Sequence, residues 1–527
     1  MEEFLGTQTI IVLLVVVATL VAIVGRRIRL PYTVSLVLVG LFISIQRPLD
    51  VEITPELIMV IFVPPLIFEA AFHLDFRMLR DNLAPIMVLA VPGVILTTLL
   101  VGGIVALGAG LPLGATFVFG ALIAASDPVA VIALFRALGV PHRLAVAVEG
   151  ESLFNDGTAI VVFQIALVAA LSGVFDPLTG VFDFLRVAVG GAVIGLALGW
   201  LVAELITRID DSLIVTTLTT LLAYGAYLAA EQLHVSGVLA VVMAGLLSGN
   251  VGLAGASPTT KIMLFNLWDY LAFLANSLVF LLIGLSVDLP DLWANLGPIV
   301  VAVVAVLVSR AVVVYGISWL ANLGKGRPHI PFEWRHVLFW GGLRGAISLA
   351  LALSLPQALA QRETLQSMTF GVVLFSLLAQ GTTIQFLLKR LGLIDRPQHR
   401  VAREMRLGQL FAARAGLRQL ERLHREGLLT DEIWTGLRDS YSRDQKLLVQ
   451  EMNQLFLEYA ELEREMLLQA RREALQAERV AMSDALRRGL LSDHVYEELT
   501  ADVDRRLEAV SMILAAVQDG QSAQEGD

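Results

Sequence analysis

Acidic and basic side chains stand inside five apolar runs of this 527-residue chain. At the centre of a bilayer such a group costs on the order of 3 kcal/mol unless it faces protein or water, so each is a candidate for chemistry. The run ALIAASDPVAVIALF holds Asp127, followed by Pro128. Proline disfavours helix at the residue before it and supplies no N–H. The helix is therefore expected to open around Ser126 and Asp127 and to free backbone carbonyls. Carbonyl oxygens beside a carboxylate are hard ligands, suited to a small hard cation. Open backbone at membrane depth is tolerated only beside a cavity or other protein.

The next run, AVAVEGESLFNDGTAIVVF, is denser still in polar groups. Glu151 and Asn155 are four residues apart, as are Ser152 and Asp156. On a helix they form two adjoining stripes on one broad side. Glu149 lies closer to the helix entry and reads as interfacial. In FWGGLRGAISLALAL, Arg344 sits between glycines that loosen the helix. A lone guanidinium there needs a carboxylate. Glu151 is the expected partner, which leaves Asp156 and Asp127 free. Glu69 follows the Pro64-Pro65 pair in FVPPLIFEAAFHLD, and Arg310 is expected to snorkel or pair locally. Asp269 and Asp288 fall near run ends and read as solvated.

The elements that must hold these groups follow from composition. Hydrophobic residues make up 56% of the chain, only 16% are charged, and mean hydropathy is +0.74. Ordinary soluble domains carry about 25% charged residues, so a wholly soluble enzyme is excluded. The formal charge of -10 leaves no basic surface for nucleic acid. Cysteine is absent, which removes disulfides, thiolate metal sites and cysteine nucleophiles together. Residues 1–390 hold 19 Lys/Arg and 23 Asp/Glu, whereas 391–527 hold 19 and 25 in about a third of the length. The chain thus divides into a membrane part, 1–390, and a charged soluble tail, 391–527.

A helical span takes roughly 20 apolar residues. About thirteen such runs occur, near 7–25, 30–46, 55–72, 84–108, 112–137, 145–171, 182–207, 212–230, 235–251, 264–287, 296–322, 336–355 and 366–390. Connections after odd-numbered runs carry Arg26, Arg27, Arg29, Arg77, Arg80, Arg136, Arg143, Arg208, Lys261, Lys325, Arg327 and Arg335. Those after even-numbered runs carry only Arg47, Arg186 and Arg362. Basic loops stay cytoplasmic, so the N-terminus with Glu2 and Glu3 is expected outside and the tail inside. The first run lacks a basic leader and a cleavage site, so no cleavable signal peptide is expected. Glycine-rich stretches such as VGGIVALGAG and VGGAVIGLALG fit close helix packing in lipid. The fifth and twelfth runs are both interrupted and, seven crossings apart, run in opposite directions. Paired broken helices of this kind mark an inverted repeat, here runs 4–6 against 11–13, with a transport site near the midplane. The fold expected is all-α and polytopic, with two crossing broken helices.

SDPVAV, GESLFND and GGLRGA, in this order and in these runs, resemble the cation/proton antiporter family 1, the bacterial and animal sodium/proton exchangers. The resemblance covers about residues 10–390. It implies that Asp156 alternately carries cation and proton. Asp127, the Ser126 carbonyl, Ser152 and Glu69 would complete the oxygen shell of Na+. Glu151 with Arg344 would be a structural ion pair, and Asn155 the neutral neighbour of Asp156. It further implies homodimers, an elevator-like movement and, because one of the adjacent pair is Asn155, electroneutral exchange of one sodium for one proton. Potassium or lithium in place of sodium, and a cation channel, are the alternatives that the residues leave open. Burial favours the protonated carboxyl and a bound cation the charged one, so the two guests compete. No GxxxxGK[ST] loop is present, so neither ATP nor any other cofactor is implied. A serine protease built on Ser152 and His234 is disfavoured, since GES lacks the glycine after serine. The localisation expected is the plasma membrane.

The tail reads as amphipathic helices. GLLTDEIWTGL begins at Gly427 and GLLSDHVYEEL at Gly489, 62 residues on. Each glycine can end a helix and Thr430 or Ser492 can cap the next, which predicts two related hairpins. These serve either a helical bundle that aids dimerisation or a regulatory unit. Residues after Gln518 are expected to be disordered.

Overall fold

The computed structural model describes residues 12–24, 32–46, 57–138, 140–174, 176–209, 211–286, 289–322, 331–393 and 398–524. Among them all regular structure is helical. Two compact units emerge, Met1–Leu391 and Gly392–Asp527. Glu2, Glu3, Arg26, Arg27, Arg29, Arg47, Asp288, Lys325 and Arg327 lie outside the described residues, as do residues 525–527.

Every expected apolar run coincides with a helix or a pair of half-helices. The first three are α1 (Val12–Val24), α2 (Tyr32–Gln46) and α3 (Val63–His73), the last entered through a π-helical turn at Leu57–Phe62. A short helix α4 (Phe76–Asp81) precedes the long α5 (Leu83–Ala109). The fifth run is split into α6 (Leu113–Leu122) and α7 (Val129–Leu138). Then come α8 (His142–Ser172), α9 (Pro177–Ile206), α10 (Ser212–Gln232), α11 (Gly237–Leu247) and α12 (Pro258–Leu285). A short α13 (Leu289–Ala294) leads to α14 (Leu296–Asn322). The twelfth run is split into α15 (Phe332–Trp340) and α16 (Ala346–Leu353), and α17 (Arg362–Arg390) closes the unit. Length and hydropathy alone let seven of these cross a membrane, α5, α8, α9, α10, α12, α14 and α17.

Local chemistry sets the boundaries. Gly173 ends α8 at φ 71°, and Asp176 caps α9 by accepting from the N–H groups of Leu178 and Thr179, with Pro177 at the first turn. Asp211 caps α10, and Ser236 and Ser257 cap α11 and α12. Both interruptions fall where proline or glycine was expected to make them: residues 123–128 before Pro128, and 341–345 with Gly341, Gly342 and Gly345.

The glycine stripe of α9 serves packing, as its spacing predicts. A Cβ added at Gly191 would strike the carbonyl of Ser236, which caps α11, and at Gly195 that of Ala240 within α11, while at Gly199 it would lie 3.0 Å from the Ala244 Cα. Backbones thus approach where side chains would hold them apart. Gly40 of α2 and Gly284 of α12 face each other in the same way.

In the second unit α18 (Gln398–Arg425) pairs with α19 (Asp431–Glu458), and α20 (Ala460–Arg487) with α21 (Asp493–Gln524). These are the two expected hairpins. Gly427 and Gly489 adopt φ of 73° and 70°, the left-handed conformation that ends a helix. Leu468, Leu475, Val503 and Val510 form the buried seam of the second pair. Two expectations need correction. Thr430 stands at the start of α19 without a side-chain capping bond. The last helix continues past Gln518 to Gln524.

Gly195→Val should destabilise the protein by about 1–3 kcal/mol through overpacking, seen as earlier thermal unfolding in detergent. Gly225→Ala, where an added Cβ meets nothing within 4 Å, is the control. Equal melting of the two variants would contradict the packing role of the α9 stripe.

Candidate functional site

Where a helix opens, its N–H and C=O groups lose their partners and must find others when buried. The two open segments find them in each other. The Asp127 N–H donates to the Leu343 carbonyl at 2.8 Å. The Asp127 carboxylate accepts from the N–H groups of Val129, at 3.0 Å, and Ala346. The Arg344 guanidinium donates to the carbonyls of Ala124 and Ala125 at 3.3 and 3.2 Å, and the Ser348 hydroxyl reaches Ala125 at 3.4 Å. The breaks therefore meet, as the inverted-repeat reading expects. Gly345 lies at the meeting point: a Cβ there would collide with the Asp127 carboxylate.

The polar side of α8 covers this junction. Its Ser152 hydroxyl donates to the Ser126 carbonyl, and the Asn155 amide donates to the Ser126 hydroxyl at 3.2 Å and to Glu151 at 3.3 Å. The Asp156 carboxylate accepts from the Ser126 N–H. Glu151, Ser152, Asn155 and Asp156 are all buried, as the two-stripe reading requires. Among the described residues, one oxygen of Asp156, Oδ1, has no hydrogen-bond partner.

The partner of Glu151 differs from expectation. Arg310 of α14, not Arg344, closes on it with two parallel bonds of 2.8 and 3.0 Å. Arg310 does not snorkel: it is 7% exposed and also donates to the Leu338 carbonyl of α15 at 3.0 Å. A guanidinium fork matches a carboxylate in this bidentate way. Sequence spacing cannot tell which of two buried arginines reaches Glu151, because both lie more than 150 residues away. Arg344, 1% exposed, is committed to the Ala124 and Ala125 carbonyls, and its Nε has no partner.

A cavity of about 390 Å³ opens onto Ser126, Asp127, Ser152, Asp156, Ser348 and Glu69. The expected cation-binding residues thus share one space. Three further polar residues line it: Glu149, which was read as interfacial, Asp269, read as solvated, and Asn276. Asp269 is indeed 55% exposed at its side chain. His73, one turn after Glu69, bridges the two acids: Nδ1 lies 3.3 Å from Glu69 Oε1 and Nε2 lies 3.3 Å from Asp269 Oδ1. The i, i+4 spacing of Glu69 and His73 was the available signal. Asp269 gave none, being 200 residues away.

A sequence model described as "Sodium/hydrogen exchanger, transmembrane" matches residues 12–390. The low-affinity Na(+)/H(+) antiporter NhaS1 of Synechocystis is 40% identical over 82% of this chain and 85% of its own length. The Na(+)/H(+) antiporter ApNhaP of Aphanothece halophytica is 42% identical over 74% of this chain and 75% of its own. Among solved structures, the sodium proton antiporter MjNhaP1 of Methanocaldococcus jannaschii at pH 8 has the same fold, with a TM-score of 0.62. It is 23% identical, and the match covers 74% of this chain and 99% of that one.

Removing one partner of a buried ion pair costs about 3–5 kcal/mol. Arg310→Gln should therefore destabilise the protein by that order, and Glu151→Gln in the same chain should recover part of the loss. Thermal unfolding of the two single variants and the double variant measures the coupling; purely additive effects would show that the two residues act independently. Gly345→Ala should abolish transport while leaving the chain able to insert, read as flux in proteoliposomes of matched protein content. Flux at the parent rate would contradict the tight meeting of the two breaks.

Proposed function

The chain belongs to the sodium/hydrogen exchanger family and is a monovalent cation/proton antiporter, and we propose that sodium and proton compete for Asp156, each displacing the other. The observation that carries this reading is that Asp156, whose buried Oδ1 has no hydrogen-bond partner among the described residues, lines one cavity together with Asp127, Ser126 and Ser152. Carboxylate, hydroxyl and carbonyl oxygens are the donors a hard cation needs. In this scheme Na+ is held by Asp156 and Asp127, with the Ser126 carbonyl, Ser152 and Glu69 completing its oxygen shell. Asn155, buried and neutral, holds the Ser126 hydroxyl and adds no charge.

The charge count supports one guest at a time. Asp127, Glu151 and Asp156 bring three negative charges to the junction, and Arg310 and Arg344 bring two positive ones. At the junction itself, apart from the cavity-lining Glu69, Glu149 and Asp269, one negative charge is left over, which a single sodium ion or a single proton neutralises. A buried net charge is costly, so the site is stable loaded and unstable empty. Exchange of one sodium for one proton, electroneutral, follows from that balance. The ion gradient is the energy source, and no cofactor enters the scheme. Potassium/proton exchange and a channel are not favoured: the reported relatives are sodium/proton antiporters.

The alternation of basic loops supports an N-terminus outside and the 391–527 unit in the cytoplasm, with the plasma membrane as the site of action. Homodimerisation and an elevator-like movement are proposed on the family resemblance.

Proteoliposomes with an internal pH dye, pulsed with sodium, test the scheme. Asp156→Asn should reduce proton exit to the level of protein-free liposomes. Exchange at the parent speed would remove Asp156 from the mechanism. The wild-type rate should be bell-shaped in pH. At low pH the proton holds Asp156 against sodium, and at high pH no proton is available for the return. A rate that rises or falls monotonically across the range would contradict the competition.

A further inference from the structure

His73 is not needed to hold an alkali cation, yet it stands between Glu69 and Asp269, two acids that line the cavity. Glu69 and His73 are each 17% exposed at the side chain and Asp269 is 55% exposed, whereas Asp156 is buried. One donor atom from each of Glu69, His73 and Asp269 lies within 4.8 Å of the others. We infer that these three side chains form a site for a borderline-soft divalent transition ion such as Zn2+, and that filling it closes the mouth of the cation cavity.

The ring is already oriented for this. His73 Nδ1 lies 2.9 Å from the Glu69 carbonyl oxygen. A carbonyl oxygen only accepts, so Nδ1 carries the hydrogen and donates. In the neutral ring the lone pair is then on Nε2, the nitrogen that faces Asp269 at 3.3 Å. A backbone carbonyl that takes the other ring N–H is the usual device for aiming a metal-binding histidine. Zinc bonds to nitrogen and oxygen are about 2.0–2.2 Å, and two such bonds at the tetrahedral angle set their atoms about 3.4 Å apart. The Nε2–Asp269 spacing is close to that value. Asp269, more than half exposed, has room to turn, and the Glu69 carboxylate, now 3.3 Å from Nδ1, would swing toward the Nε2 side to supply the third ligand. Imidazole favours zinc, copper and nickel over alkali ions, so sodium does not compete for Nε2.

The consequence is a plug. Glu69 lines the cavity that leads to Asp156, and a divalent ion bound across Glu69, His73 and Asp269 would engage that carboxylate and set two positive charges at the entrance. Metal binding stands on the three side chains alone, whereas the block rests on the proposed cation path.

The test uses the full chain, purified and reconstituted. Equilibrium dialysis with Zn2+, and visible absorption with Co2+ as a tetrahedral reporter, measure binding without transport. Sodium-driven proton exchange is followed in parallel. His73→Gln and Asp269→Asn should each weaken Zn2+ binding by at least about tenfold and remove the Co2+ bands. Zn2+ should stop wild-type exchange at concentrations at which His73→Gln continues, with the sodium KM of that variant within about twofold of the parent when Zn2+ is absent. Equal Zn2+ binding by the wild type and both variants would overturn the site. Binding that depends on His73 but leaves exchange unslowed would overturn the plug. Loss of exchange in the wild type without Zn2+ would instead strike the antiport reading, and dialysis would still decide the site.

Discussion

The fork of Arg310 on Glu151 decides which carboxylate of the junction is available. Three acids and two arginines share a small buried volume, and only one of the acids is met by a guanidinium in bidentate geometry. That pair is settled: its charges cancel, and both carboxylate oxygens accept from the guanidinium. Arg344 is turned toward the Ala124 and Ala125 carbonyls. Asp156 is left with a single backbone N–H and an oxygen that nothing in the described structure satisfies. Had Arg344 or Arg310 forked onto Asp156 instead, the site would carry its own permanent counter-ion, and neither sodium nor a proton would have reason to enter.

That arrangement depends in turn on two broken helices. An unbroken helix uses every carbonyl internally and offers a cation nothing. Opening residues 123–128 and 341–345 releases carbonyls, and each must then be met by a donor or face the cavity. Arg344, Ser152 and Ser348 meet those of Ala124, Ala125 and Ser126. Gly345 lets the second break come close enough for its neighbour Ala346 to donate to Asp127. The same arginine that looked like a counter-ion is better described as a replacement for lost backbone hydrogen bonds.

Much of this was legible in the amino-acid sequence, because lipid imposes strong rules. An Asp before Pro, or four polar residues at i, i+4 spacing, inside an apolar run has few structural explanations, and each was found where its spacing placed it. Hydropathy located all thirteen runs, since helix length in a membrane is set by bilayer thickness. What was not legible is contact between distant segments. Glu151 and Arg310 are 159 residues apart, and no local period connects them. Asp269 reads as a solvated helix residue until its helix is laid beside α3. Thr430 shows the other limit: a residue type that favours a cap does not guarantee the bond.

Asp127 and Asp156 are chemically identical side chains, and their surroundings divide the work between them. Asp127 is pinned by two backbone N–H groups from opposite sides of the junction, so it is tied to the geometry of both breaks at once. Asp156 sits on the continuous helix α8, with fewer fixed donors and one open oxygen. It is therefore the group whose charge must be met by whatever arrives. In the proposed scheme a cation entering the cavity contacts both, and Asp156 is the one that gives up a proton to receive it. Under the proposed scheme that asymmetry couples the two ions: with one adaptable acid, sodium and hydrogen ions take turns at Asp156 instead of being carried together.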